Sequence, residues 1–506
     1  MTNGSDSRAS LLAACLALLA LAASLRIAAQ VYEGLPHIED EFANLWQAEV
    51  MAQGDLTLRS PAEPRYFVVP FVVDHEGVRF GKYPPGWPAA LSLGIRLGAP
   101  TLVNGLLAAL CVWLTYRLGN RLGGRSVGLL SALLLATSPM LLMLSGSLMS
   151  HMLSLLLGLV FSLAWLQLFV PTAGAAEPAR LPRWMIVLAA GSALGLLMLT
   201  RPLTALAIAI PFVLHALGLM AKGRGSVRRE LAALAGVVVV VSALLPLWQA
   251  AVTGRPFTNP YTLWWPYDRL GFGPGHGPQP GGHSLHWAFI NTRFSLWTMQ
   301  HDLFGWPYLS WLMLPVGMWA LRRQLGLWLC LAILPSLLLT YAAYWVGAWL
   351  YGPRYYVEAL PGLAVASAAG FVWLGRLVGQ PRRGWGRARR LGVSAAILVL
   401  LAVNVGGYLP ARLASLRGLY GIGASDQQAF LQTPDRADKL ILVNPIYHWS
   451  EAVVLMLLAP PFEDGDFLVA WDRDAQAEAR LRQAYPQWEI VHYYPDQPGV
   501  LHPGRR

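Results

Sequence analysis

The sequence predicts a polytopic α-helical membrane protein with a small α/β unit at its C-terminal end, on three observations. Of its 506 residues, 55% are hydrophobic and 13% charged, and the mean hydropathy is +0.45, values that set it apart from soluble enzymes. Apolar stretches recur from Leu11 to Leu409, most of them long enough to cross about 30 Å of hydrocarbon. After Pro410 the composition turns polar, and short alternating segments replace the apolar runs. The formal charge of +11 resides largely in arginines grouped between apolar stretches, where membrane orientation requires them. It points to anionic lipid as the partner and away from nucleic acid. Cys15, Cys111 and Cys330 lie inside apolar stretches and offer neither metal spacing nor a disulfide framework.

In chain order, Leu11–Ala29 is read as a first span, retained as a helix and not cleaved as a signal peptide. A polar loop, residues 31–88, follows, and Trp87–Leu97 is too short to cross, so it belongs at the interface or re-enters. Further spans are Leu102–Leu118, Val127–Leu144, Leu148–Val170, Trp184–Thr200, Leu203–Leu219 and Leu231–Val252. Beyond a second large loop, 253–304, come Trp306–Leu321, Leu325–Val346, Tyr355–Leu374 and Leu391–Leu409, about 11 spans in all. Basic clusters test this count: Arg117, Arg121 and Arg125; Arg180 and Arg183; Lys222, Arg224, Arg228 and Arg229; Arg322 and Arg323; and Arg376, Arg382, Arg383, Arg387, Arg389 and Arg390. All fall on one side, which makes that side and the N-terminus cytoplasmic and both large loops extracytoplasmic in the plasma (cell inner) membrane.

The second loop exceeds ordinary connections at roughly 50 residues. Its Trp264, Trp265, Tyr267, Phe272, Trp287 and Trp297 suit a headgroup belt or a lid that packs on sugar rings. In residues 410–506, Leu440–Asn444, Phe467–Trp471 and Trp488–Tyr493 read as strands, with an amphipathic helix in the AQAEARLRQAY stretch. This predicts a membrane domain over 1–409 and a small extracytoplasmic α/β domain over 410–506. No glycine fingerprint there marks a nucleotide site.

Glu39, Asp40 and Glu41 open a helical pattern carried by Phe42, Leu45, Trp46, Val50 and Met51. Carboxylates in a first turn suit the helix dipole, so a capped interfacial helix is one reading and a site the other. Sequence pattern does not separate the three acids. The first loop also brings Lys82, in GKYPPGW, to the same side of the membrane. An acid able to take a hydroxyl proton beside a cation able to hold a phosphate is what sugar transfer from a lipid phosphate needs. Arg354 precedes the tenth span on the side opposite the basic clusters, where topology does not explain it; snorkelling to headgroups is the alternative.

Asp40-Glu41 after the first span, Lys82 to Pro85, Arg201-Pro202 and Gly352-Pro353-Arg354-Tyr355-Tyr356 together resemble the polyprenyl-phosphate-dependent glycosyltransferases of the GT-C type. Within them the chain is most similar to the lipid A aminoarabinose transferases and protein O-mannosyltransferases of glycosyltransferase family 39. The resemblance covers roughly residues 10–410, and the order of motifs is its specific part. It implies an inverting transfer of a hexosyl or pentosyl group from a polyprenyl-phosphate donor to a hydroxyl of a lipid, glycan or protein. Asp40 then matches the catalytic acid, with Glu41 beside it. Lys82, Arg201, Arg354, Tyr355 and Tyr356 fall to the donor phosphate. By position, His151 near the end of the fourth span and Tyr83 are cavity candidates, a helix-packing histidine being the other reading of His151. The aminoarabinose transferases carry Glu-Lys-Pro-Pro where this chain reads Gly81-Lys82-Tyr83-Pro84-Pro85. His276, His283, His286 and His301 lack the spacing of a helical metal pair, so neither a metal nor another cofactor is expected. A transporter or flippase of a lipid-linked sugar is the competing reading, although transporter sites sit near the bilayer midplane.

Overall fold

The computed structural model describes residues 2–171, 181–222, 225–378, 386–459, 461 and 465–506. The predicted basic residues Arg180, Arg224, Arg382 and Arg383 lie outside them. Helix α1 (Thr2–Gln30) leads into α2 (Glu39–Gln53), where Glu41 reaches back to the amides of His37 and Ile38 at 3.0 and 3.3 Å. That is the reach of a capping-box acid, and it fixes where α2 starts. Gly54 closes the helix in the left-handed region at φ +104°.

Three strands missed in the sequence follow: β1 (Leu58–Arg59), β2 (Val72–His75) and β3 (Val78–Gly81). Strands β2 and β3 form an antiparallel hairpin with Val73 opposite Phe80. Glu76 and Gly77 turn it with φ +49° and +82°, as a two-residue primed turn demands. The chain then enters α3 (Gly86–Arg96), which packs Trp87 and Leu91 on Ala48 of α2. This helix covers the segment that the sequence reads as too short to cross a membrane.

The membrane bundle begins with α4 (Pro100–Gly123), α5 (Arg125–Ala136) and α6 (Pro139–Ser145). A 55° bend at Pro139 separates the last two. Then come α7 (His151–Phe169), α8 (Arg183–Thr200), α9 (Pro202–Lys222), α10 (Gly225–Ser242) and α11 (Leu244–Thr253). The second loop holds α12 (Pro260–Trp264) and α13 (Leu285–Asp302). Short helices α14 (Leu314–Ala320), α15 (Leu325–Leu331) and α16 (Ile333–Tyr341) precede a 3₁₀ turn at Arg354–Ala359, α17 (Leu360–Val378), α18 (Gly386–Val403) and α19 (Leu409–Ala414).

Among the described residues, eight helices are long and apolar enough to cross a membrane, or nine with the bent α5–α6 pair. These correspond to nine of the predicted spans; the other two, Trp306–Leu321 and Leu325–Val346, are built from shorter pieces. Pro335 lacks the amide that would bond the carbonyl of Leu331, so α15 and α16 meet at a break. They nonetheless run the length of the bundle. A Cβ on Gly326 would touch Leu122 and Leu166, near the far ends of α4 and α7, whereas Tyr341 lies beside Arg201.

The C-terminal part contains α20 (Ala424–Leu431), β4 (Lys439–Val443), α21 (Ser450–Met456), β5 (Phe467–Trp471), α22 (Ala477–Ala484), β6 (Glu489–Tyr493) and β7 (Leu501–His502). Its sheet runs β5-β4-β6-β7, with β4 parallel to both neighbours and β7 antiparallel to β6. The three predicted strands and the helix are present; β7 is an addition. One face of this sheet shares a core with Phe42, Ala43, Trp46 and Val50 of α2, and the other buries Tyr66 and Phe67 of the first loop. The outer unit therefore grips the loop that carries the acids from both faces.

Candidate active site

Asp40 stands in the first turn of α2, half-buried and favoured there by the helix dipole. Its Oδ1 accepts the Tyr83 hydroxyl at 2.6 Å, and its Oδ2 lies 3.6 Å from Nη2 of Arg354. Glu39 is half-buried, which raises its carboxyl above the usual range. Glu41 is buried and faces the protein instead. Its Oε2 accepts the His37 and Ile38 amides and the Tyr351 hydroxyl (2.7 Å), and its Oε1 accepts the Leu148 amide at 2.7 Å. Burial raises its carboxyl pKa against these donors, which pull it down. Three of these donors meet Oε2 and one meets Oε1, so Glu41 ties α2 to the α6–α7 connection.

Arg354 is brought to Asp40 by a sharp turn. Tyr351 and Gly352 both adopt left-handed backbone at φ +55° and +69°, and Pro353 then sets the 3₁₀ turn. The Arg354 side chain is 7% exposed, yet its Nε and Nη1 are buried without hydrogen-bond partners among the described residues. A buried guanidinium with two idle nitrogens is poised for an anion. Arg201 occupies the break between α8 and α9, because Pro202 starts a new helix and holds the preceding residue out of the helical region. It donates to Thr204 (3.2 Å), Ser150 (3.4 Å) and Tyr341 (3.0 Å), all of them hydroxyls. Tyr355 connects the two arginines, its ring centroid 5.6 Å from Arg201 and 5.4 Å from Arg354.

These groups meet at a cavity of about 410 Å³. Asp40, Tyr83, Arg201, Tyr341, Tyr344 and Tyr355 line its polar part with Gln249 and Asn259, and Leu203, Leu206 and Leu245 line its apolar part. Leu206 on α9 is 53% exposed. Arg354 is outside the lining, beside Asp40 and Tyr355. Lys82, Glu41, His151 and Tyr356 are outside the lining. His151 is fully buried in the first turn of α7, with both ring nitrogens unpartnered among the described residues, and Tyr356 is buried in the 3₁₀ turn.

Lys82 sits behind the Tyr83 wall, 3.3 Å from Oδ2 of Asp268 and 3.5 Å from the centroid of the Phe71 ring. Burial lowers its ammonium pKa, while Asp268 and Asp40 pull it back up. The sequence reading missed Asp268, a lone acid in the aromatic run WWPYDRL. Its Oδ1 accepts from the Tyr344 hydroxyl (3.0 Å) and Trp345 Nε1 (3.1 Å), and it lines the cavity. Trp264 and Trp265 pack edge-on against Phe71 at 5.7 and 5.2 Å, as part of a wall. Phe272, Trp287 and Trp297 are exposed. No group of three or more His, Cys, Asp or Glu side chains among the described residues is placed to hold a metal ion. The cavity's two carboxylates already face Arg354 and Lys82, a donor set that does not fit one.

No known family's sequence pattern matches the chain, and no curated protein matches it. Solved structures do match in fold. ArnT from Cupriavidus metallidurans bound to undecaprenyl phosphate aligns at TM-score 0.57 and 16% identity, over 94% of this chain and 88% of that one. The Archaeoglobus fulgidus oligosaccharyltransferase in complex with zinc and sulfate aligns at 0.54 and 13%, over 94% and 67%. The archaeal oligosaccharyltransferase AglB with an inhibitory peptide and a dolichol-phosphate aligns at 0.52 and 15%, over 89% and 64%. The chain shares the GT-C membrane fold of these proteins.

Proposed function

We propose that this protein is an integral membrane glycosyltransferase that moves one sugar from a polyprenyl phosphate to an acceptor hydroxyl by inverting displacement. The observation that carries this reading is the meeting of Asp40 and Arg201 in the lining of one cavity that has both polar and apolar walls, with the half-unpaired Arg354 against Asp40. The lipid phosphates bound by two of the structural neighbours support it. In this reading the prenyl tail lies along Leu203, Leu206 and Leu245, and the phosphate reaches Arg354 and Arg201. The acceptor oxygen attacks C1 of the sugar as the C1–O bond to phosphate breaks. Asp40 takes the hydroxyl proton, and the bond's electron pair stays on the departing phosphate oxygen. The arginines stabilise that growing charge. Tyr355 holds the two guanidinium groups at a fixed spacing.

Residues 1–409 form the transferase unit, and residues 410–506 brace its first loop on the extracytoplasmic side. The N-terminus is cytoplasmic, and the membrane is the plasma membrane.

The test is transfer by the purified chain in liposomes, with undecaprenyl-phosphate-linked pentoses and hexoses as donors and extracted envelope lipids, glycans and proteins as acceptors. Sugar transfer that is lost in Asp40→Asn is the expected result. Movement of the donor between leaflets without transfer overturns it in favour of a flippase.

A further inference from the structure

Lys82 is the cation that the sequence offers first for the donor phosphate, and the structure gives its ammonium a different employment. Its Nζ is 3.5 Å from the ring centroid of Phe71, 4.9 Å from Trp265, 5.1 Å from Tyr261 and 5.4 Å from Tyr83. Asp268 closes the box at 3.3 Å, and the side chains of Lys82 and Asp268 are 3% and 1% exposed. An ammonium has three donors. One meets the carboxylate, and the others face aromatic rings that attract a cation through their quadrupoles. Lys82 itself does not line the cavity.

The same box holds Tyr83. Its ring stands edge-on to Phe71 (5.9 Å, 80°) and to Tyr261 (5.5 Å, 89°), while its hydroxyl donates to Oδ1 of Asp40 at 2.6 Å. Asp268 anchors the far end through Tyr344 and Trp345, ten and nine residues before Arg354. A continuous set of contacts thus runs from the second loop to the acid on α2. It matters because Arg354 faces the other oxygen of Asp40 at 3.6 Å, beyond hydrogen-bond distance. With Tyr83 holding Oδ1, the carboxylate cannot swing round and close both oxygens on the guanidinium, a geometry carboxylates and arginines favour. Such closure would occupy the proton acceptor and the anion donor together.

We propose that Lys82 and Asp268 are positioning residues for Asp40, acting through Tyr83. Their buried ion pair clamps the Phe71–Tyr261–Trp265 box, the box fixes the Tyr83 ring, and the Tyr83 hydroxyl keeps Asp40 apart from Arg354. The phosphate is left to Arg201 and Arg354. The inference rests on Asp40 being the base of the proposed transfer.

The experiment separates turnover from lipid binding in the purified full-length chain, using undecaprenyl phosphate without sugar as the binding probe. Lys82→Met keeps the length and apolar stem but removes the charge, and it leaves Asp268 buried and alone. It is expected to lower kcat at least about tenfold with undecaprenyl phosphate affinity within about twofold of wild type. Asp268→Asn strands the ammonium instead and is expected to do the same. The double variant Lys82→Met/Asp268→Asn strands no charge, so it should regain at least about fivefold in kcat over Lys82→Met, the non-additivity expected of a coupled buried pair. Tyr83→Phe keeps the ring in its box and removes only the hydroxyl; it should lower kcat and leave probe affinity unchanged, and it serves where the ion-pair variants fail to fold.

Probe binding weakened tenfold or more by Lys82→Met would make Lys82 a phosphate ligand and overturn the proposal, as would a double variant no better than Lys82→Met. Full activity in Tyr83→Phe overturns it too. A fully active Asp40→Asn in the same assay would instead remove the base assignment on which the inference rests.

Discussion

Asp40 and Glu41 are neighbours with opposite surroundings, and their substitutions should separate accordingly. Asp40→Asn keeps shape but cannot take a proton, so turnover is expected to fall roughly 100-fold or more with thermal stability unchanged. Glu41→Gln places an amide NH₂ among donors that need an acceptor: three backbone amides and the Tyr351 hydroxyl. A loss of about 1–3 kcal/mol is expected, read as a lower melting temperature in detergent, with activity declining in step. Equal stability of the two variants would contradict this division. Arg354→Lys retains a charge but loses the planar fork. It should insert normally and turn over poorly; wild-type turnover would reduce Arg354 to a headgroup anchor. Gly352→Ala meets both a left-handed φ of +69° and a Cβ only 2.6 Å from Oδ2 of Asp302. It is expected to displace Arg354 and to lower activity and stability together. The pairing of two acids at a helix start was legible in the sequence, but which one faces the cavity was not: that depends on the amides of His37, Ile38 and Leu148, the last of them 107 residues away from Glu41.

At the scale of elements, the outer sheet was legible because its strands LILV, FLVAW and EIVHYY carry their apolar residues in short runs bounded by polar turns. The β2–β3 hairpin was not, because Asp74, His75, Glu76 and Arg79 disguise it as a polar segment; Arg79 is in fact buried against Asp74 at 3.0 Å. The outer sheet also contains a titratable lock. His492 on β6 is buried, which alone would lower its pKa, but Asp472 and Glu478, each 3.3 Å away, raise it above the ordinary imidazole value. Arg505 faces Asp472 from the C-terminal tail at 3.4 Å. A histidine whose folded pKa exceeds its unfolded one adds stability that is fully present below the unfolded value, about 6.5, and lost as pH rises through the raised folded value. The melting temperature should therefore fall as pH climbs above about 6.5, and His492→Gln should flatten that slope. A wild-type protein with no such slope would show that the ion pairs do not form in solution.

For the whole molecule, the packing of the outer sheet on α2 puts the C-terminal end and the first loop on one side of the membrane. The bent and broken helices do not alter this, since α15 and α16 together run from the ends of α4 and α7 back to Arg201. Cysteine labels in Gly273–Gly282 and a reporter after Arg506 are expected to report the extracytoplasmic side, and a label beside Arg229 the cytoplasmic side. A cytoplasmic C-terminus would detach the outer unit from the acids and break the architecture. Truncation before Ala424 removes α20, α21 and the sheet from the core that holds Phe42 and Trp46; the shortened chain is expected to insert but to turn over little.

By itself the sequence determined that the chain is a many-spanning helical membrane protein with a C-terminal α/β unit, which residues open α2, and that Arg354 stands apart from the basic clusters between spans. Those are local properties: hydrophobic length, strand and helix periodicity, and charge sign relative to the spans. Only the tertiary structure decided how the charges are matched. Asp268 is one acid in an aromatic loop until folding sets it beside Lys82, 186 residues earlier in the chain, and folding also brings Phe71, Tyr261 and Trp265 around the Lys82 ammonium. Whether a charge serves a substrate or another charge depends on which side chains share its low-dielectric surroundings, and only the fold brings those together.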